Sequence, residues 1–248
     1  MVAPVSVGLK IASNRRKTLL STTLKLCTYS CAIILFTACA QQPQQHLWEI
    51  NSLEQLNGLP VAAEGNPQLI DTPYGQAVRF DGEGDRLLID ANPLGEATEF
   101  TVEIIFRPND AFPNNWEPRF FHIEAPDNPN RRITIELRLN DRQQWYLDTY
   151  IKSEMSQHTL IDETLVHPVG EWAHAAITYK DRQFTAYVNG EKELSAEVDY
   201  LPIAANGQTS IGARMNRVHW FNGDILAVGI SHEALAPEEF LLMKRYEL

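Results

Sequence analysis

The chain has 248 residues, with 32 acidic against 21 basic side chains and a formal net charge of −11. Hydrophobic residues make up 44% of it, which excludes a disordered chain and allows a sizeable core. The acidic balance argues against nucleic acid as a partner, and a polyanionic ligand would need a local basic patch working against the global field.

The first forty residues carry no acid. A basic cluster, Asn14 to Lys17, precedes the apolar run "LCTYSCAIILFTA" from Leu26 to Ala38. That run is too short to span a bilayer comfortably and has the length of a signal-peptide core. It closes on "LFTAC", which resembles a bacterial lipobox. The resemblance implies a signal peptide over 1–38, cleavage before Cys39 and lipidation of Cys39. The expected address is the cell envelope, held to the membrane by acyl chains, and the lack of an Asp after Cys39 favours the outer membrane. All three cysteines lie here, so the domain beyond them is expected to fold without a disulfide. Removing 1–38 leaves 16 bases against 32 acids, a balance of −16.

Residues 39–45 read as a short polar tether and 46–248 as one domain, since no repeat, low-complexity stretch or second linker interrupts them. "FTVEIIFRP" (100–108) alternates Phe100, Val102, Ile104 and Phe106 against Thr101, Glu103, Ile105 and Arg107. "RITIELRLN" (132–140) sets four aliphatic residues against Arg132, Thr134, Glu136 and Arg138. "QQWYLDTYIK" (143–152) turns Trp145, Leu147, Thr149 and Ile151 inward, opposite Tyr146, Asp148, Tyr150 and Lys152. About a dozen such period-2 segments predict an all-β antiparallel sandwich or barrel. Asn140-Asp141 and Asn189-Gly190 suit hairpin turns. One short C-terminal helix is expected, with Pro237 in its first turn and Glu238 and Glu239 at its positive end.

The segment "EWAHAAITYKDRQFTAYVNGEKEL" resembles the laminin G-like jelly rolls of concanavalin A-like architecture, through Trp172, His174, Ala176, Tyr179 and the "YVNG" hairpin at 187–190. Upstream, "GQAVRFDGEGDRLLI" (75–89) resembles the family's opening hairpin, and downstream "WFNGDILAVGISHEALAPEEF" (220–240) resembles its closing strand and terminal helix. The resemblance implies a two-sheet antiparallel jelly-roll sandwich with one concave sheet. It implies binding of a glycan or a protein surface, often with calcium. The closing strand departs from the family where Ile225 is followed by Leu226 and Ala227 in place of an acid.

Two sets of residues could carry function. Asp81, Glu83 and Asp85 alternate as at the start of a calcium loop, and Asp224 could join Asp81 and Asp85 around an ion. An EF-hand would need Glu where Asn92 stands. The second set is the polar face of strands 132–140 and 143–152. Paired through Asn140-Asp141, they gather Glu136, Arg138, Tyr146, Asp148, Tyr150 and Lys152 on one surface, with His122 and Glu103 expected on a neighbouring strand of the same sheet. Aromatic faces to stack on sugar rings, and charged groups to orient hydroxyls, are what a glycan site needs. The main reading is non-catalytic binding on that face. The alternative is a polysaccharide lyase or glycoside hydrolase on the same face. Glu136-Leu137-Arg138 and Tyr150-x-Lys152 resemble strands of alginate-lyase jelly rolls, but neither their Gln-x-His strand nor the E-x-D-x-E of retaining glucanases is present. His174, inside the scaffold motif, reads as a structural donor. Trp116 and Trp220 read equally as rim or core, and nothing sets an oligomeric state.

Overall fold

The computed structural model describes residues 44–248. The signal segment, Cys39 and most of the tether lie outside the described residues. The described residues form a sandwich of two antiparallel sheets. The first sheet contains β1 (Gln45–Glu49), β4 (Gln68–Thr72), β5 (Gly75–Asp81), β7 (Phe100–Pro108), β13 (Ala173–Lys180), β14 (Gln183–Val188), β15 (Glu191–Glu197) and β17 (Asn222–Ser231). The second contains β2 (Gln55–Leu56), β3 (Leu59–Glu64), β6 (Arg86–Ile89), β8 (Arg119–Ala125), β9 (Asn128–Leu139), β10 (Gln144–Ser153), β11 (Ser156–Ile161), β12 (His167–Pro168) and β16 (Gln208–Ile211). The tether ends earlier than expected, because Gln45 already pairs with Ser231 on β17.

Alternation places the core between the sheets. Ile133, Ile135, Leu137 and Leu139 of β9 and Trp145, Leu147 and Ile151 of β10 are buried in it. They meet Phe100, Val102, Ile104 and Phe106 of β7 from the other side. Aromatic rings join the layers: Phe106 lies 4.6 Å from Phe120 and 5.1 Å from Trp145, and Phe120 lies 5.2 Å from Phe221. Such contacts add to the burial each ring already gains. Trp145 donates its indole N–H to Pro168 O at 3.1 Å, so its polar atom is satisfied in the core.

The outer face of the first sheet is not free. Residues after Ser231 return across it as a 3₁₀ turn, Pro237–Glu239, and a short helix α1, Leu241–Arg245. The expected short C-terminal helix is α1; Pro237, Glu238 and Glu239 form the separate 3₁₀ turn ahead of it, and between the two the ring of Phe240 packs on His174 and Tyr187. Under α1, Leu242 packs with Ala77, Ile105, Leu226 and Ala227. This second cover explains why β7 and β17 are buried on both faces. Glu103 stands here, fully buried, on the first sheet; its expected place beside His122 is wrong, since His122 is on β8 of the second. Its carboxylate accepts the backbone N–H of Leu241 at 2.7 Å and of Leu242 at 2.9 Å, and lies 3.0 Å from His174 Nε2. One acid therefore holds the terminal segment to the sheet, and His174 serves as its structural partner.

Two turns decide the topology locally. Asn189 and Gly190 both take positive φ, 49° and 80°, which is the mirror-image turn that matches strand twist. Asn189 Oδ1 also accepts the N–H of His174 at 2.9 Å and ties the tip to β13. The segment 75–89 is not a hairpin: β5 and β6 belong to opposite sheets, and "DGEGD" carries the chain from one to the other. Asp85 closes that crossing, accepting from the N–H of Asn66 at 2.6 Å and of Asp81 at 2.9 Å.

Truncating the ring that touches both layers should be costly. Phe106→Ala is expected to lower unfolding stability by about 3–5 kcal/mol in a urea titration, the range for a fully buried phenylalanine.

Candidate functional site

The outer face of the second sheet keeps polar side chains that the pleat forces outward and burial then traps. Direct cross-strand partners Tyr146 and Arg138, Asp148 and Glu136, and Tyr150 and Thr134 line it. β8 adds Arg119 opposite Glu136 and His122 opposite Thr134. The segment after β16, residues 212–220, lies over this face. It is pinned by Met215 N–H donating to His122 Nδ1 at 3.0 Å, Arg217 to Glu64 at 2.8 Å, and His219 to Glu117 at 2.8 Å.

Glu136 and Asp148 are only 5% and 1% exposed despite pointing outward. Arg119 Nε donates to Glu136 at 2.8 Å, and Arg138 Nε to Asp148 at 2.7 Å. Arg138 also pairs with Glu117, which lies 3.6 Å from Arg119. The guanidinium of Arg138 sits 5.1 Å from the ring centre of Trp116, which is 48% exposed, and that of Arg132 sits 5.1 Å from the ring centre of Tyr150. Together Arg119, Arg132, Glu136, Arg138, Asp148, Tyr150, Thr159 and Arg214 enclose a recess of 160 Å³.

Burial raises the pKa of Glu136, opposed by Arg119 and helped by Asp148. Burial likewise raises Asp148, opposed by Arg138. Desolvation outweighs the salt bridges at both carboxyls. Burial lowers His122, so it stands neutral at pH 7. Because its Nδ1 accepts from Met215, its proton is on Nε2, 3.3 Å from Glu124.

Chemically, this is a rigid charge lattice with aromatic edges. Both buried acids are clamped by arginines, and Tyr150 donates its O–H to Gln157 at 2.8 Å. A nucleophile, general base or proton-donating tyrosine needs those groups free to face a substrate.

This sandwich has counterparts among known proteins. The profile of the Laminin_G_3 family, described as concanavalin A-like lectin/glucanases superfamily, matches residues 81–240. The chain belongs to this superfamily. Among solved structures, this laminin G-like chain is similar to domain 4 of AbnA, a GH43 extracellular arabinanase from Geobacillus stearothermophilus, in complex with arabinotriose. Identity is 17% and the TM-score 0.60, over 80% of this chain and 97% of that one. It is also similar to the binding domain of botulinum neurotoxin DC in complex with SialylT, at 16% identity and TM-score 0.57, over 81% of this chain and 50% of that one. The same toxin domain in complex with rat synaptotagmin II gives 16% and 0.58, over 81% and 51%. The chain thus spans about half the length of the toxin domains. No curated protein matches it.

Of the six residues expected on this face, the laminin G-like fold brings Glu136, Arg138, Asp148 and Tyr150 to the recess. Tyr146 lines a separate depression with Asn140, Arg142 and Glu163, and Lys152 lines neither. Arg119, Arg132, Thr159 and Arg214 complete the recess without having been expected there. Arg132 is visible in the sequence as an outward residue of β9, beyond Thr134, whereas Thr159 and Arg119 need the strand pairings. The expected calcium set does not assemble. Asp224 is fully buried and accepts from Arg79 Nε at 2.8 Å and Arg107 Nε at 2.9 Å. Asp85 is spent on two amides, and Asp81 accepts the N–H of Glu83 at 2.7 Å. Calcium takes six to eight oxygens, and an acid already neutralised by two guanidiniums is a poor donor. Among the described residues no group of three or more His, Cys, Asp or Glu could hold a metal.

The raised carboxyls fix a sign for pH dependence. The native state binds their protons more tightly than the unfolded chain, so they oppose folding above their folded pKa, and that penalty fades as pH falls to ordinary carboxylate values. In urea titrations from pH 7 down to pH 4, the wild type is therefore expected to gain stability relative to Glu136→Gln.

Proposed function

We propose that this chain is a non-catalytic glycan-binding protein of the cell envelope, and that it binds sugar across the outer face of the second sheet. The observation that carries the reading is the rigid, arginine-lined recess at Tyr150, with exposed Trp116 stacked on one of its arginines. Preorganised polar groups beside aromatic faces are the means by which a site orients a sugar. Tyr146 and Tyr150 are four residues apart on β10, about 13 Å along an antiparallel strand. A ligand touching both is an extended one. The similarity to domains crystallised with arabinotriose and with SialylT supports a glycan, and the clamped acids support binding without cleavage.

The test is titration with an oligosaccharide panel, read by tryptophan fluorescence and followed by chromatography. Saturable quenching with unchanged oligosaccharide is expected, and Trp116→Ala and Tyr150→Ala should each weaken binding about tenfold, the equivalent of about 1.4 kcal/mol. Cleaved products, or affinity indifferent to both substitutions, would refute binding on this face.

The anchor belongs to the same proposal. Two acyl chains hold a protein to a bilayer far better than one, and "LFTAC" supplies the acceptor cysteine. Cys39→Ser is expected to move the protein from the membrane to the soluble fraction; continued membrane retention would remove the anchor from the account.

A further inference from the structure

Four guanidiniums surround the recess, but they are not equivalent. Arg119 is matched by Glu136, and Arg138 by Asp148 and Glu117. Arg132 and Arg214 are not matched in this way. Arg132 donates through Nη1 to Pro129 O, a neutral carbonyl. The nearest carboxylate oxygen to Arg214 Nε is that of Glu136, at 3.8 Å, beyond hydrogen-bond reach. The Nε atoms of both are buried and have no partner among the described residues. Glu124, opposite Arg132 on β8, sits against His122.

A partly desolvated guanidinium whose buried N–H has no hydrogen-bond partner is costly, and two of them on one recess cost more; the 3.8 Å approach of Glu136 eases the charge of Arg214 without taking that proton. Burial holds the Arg214 guanidinium below its usual pKa; Glu136 and Glu124 oppose this, and Arg119 and Arg132 add to it. Neither group can relax away easily. Arg132 rests on the Tyr150 ring. Arg214 lies between Gly212, whose N–H donates to Phe120 O at 2.9 Å, and Met215, fixed by His122. A planar guanidinium in a fixed position is suited to an oxyanion, which it meets through two parallel N–H groups.

We infer that Arg132 and Arg214 form a receptor for one oxyanion group of the ligand, so that the glycan bound at this face is an acidic one, bearing a uronate carboxylate or a sulfate ester. This rests on the proposed glycan function and narrows it. The volume of the recess, 160 Å³, is ample for one charged substituent. Pockets for whole small molecules begin at roughly 300 Å³. The ring itself would lie outside, against Tyr150 and Trp116. The recess is also the local basic patch that an acidic chain needs to hold an anion.

The test separates this inference from the general one. The arginine Nε–H resonances of the protein are followed by NMR during titration with sodium galacturonate, sodium sulfate and galactose, each at constant ionic strength. Saturable shifts of Arg132 and Arg214 are expected with at least one of the two anions and not with galactose. Response to galacturonate alone assigns a carboxylate, and response to sulfate alone a sulfate ester. Arg214→Gln and Arg132→Gln are each expected to weaken the response at least tenfold, while Arg214→Lys, which keeps the charge, retains part of it. A thermal melt of each variant checks that it is folded. No saturable shift with either anion, or an equal shift with galactose, overturns the inference even if the panel yields a neutral glycan. Anion binding at the recess without any oligosaccharide bound would instead overturn the glycan function.

Discussion

Alternation along β9 and β10 is the constraint that everything else in this molecule inherits. Ile133, Ile135, Leu137 and Leu139 point one way and join Trp145, Leu147 and Ile151. Thr134, Glu136 and Arg138 point the other way and join Tyr146, Asp148 and Tyr150. The same two strands thus build a large part of the core and most of the recess. A slip of one residue would exchange the two sets. Register is protected because such a slip would place Glu136 and Asp148 among the phenylalanines, where an unpaired charge costs several kcal/mol.

The outward set is then handled by pairing. Glu136 and Asp148 are opposite each other across the strands, which by itself is unfavourable for two acids. Arg119 and Arg138 make the arrangement tolerable, with Glu117 joining the pairs and His219 joining Glu117. A lattice of this kind contributes little net stability, since desolvation offsets the attraction. What it supplies is position: the charged groups hold one another in place, and the loop at 212–220 is tied to the same set.

Short-range features are legible in the sequence and long-range ones are not. The strands around 132–152, the turn at Asn189-Gly190 and the sandwich itself follow from period-2 patterning and turn chemistry, which act over a few residues. Glu103 looks like an outward polar residue because its strand alternates; nothing local shows that residues 241 and 242 come back to use it. The "DGEGD" segment looks like a hairpin or an ion loop because glycines and acids serve both, and only the sheet assignment shows it as a crossing. Arg214 comes just after β16 and reaches a recess made by β8, β9 and β10. Its arrival depends on β16 lying beside β8, a pairing that sets Ser210 against the distant His122.

The position of β1 and α1 has a geometric consequence. β1 pairs with β17, and α1 packs on β17 and β7, so both ends of the described chain meet the sandwich at the same sheet. The recess is on the other. Neither β1 nor α1 therefore covers the arginine-lined face.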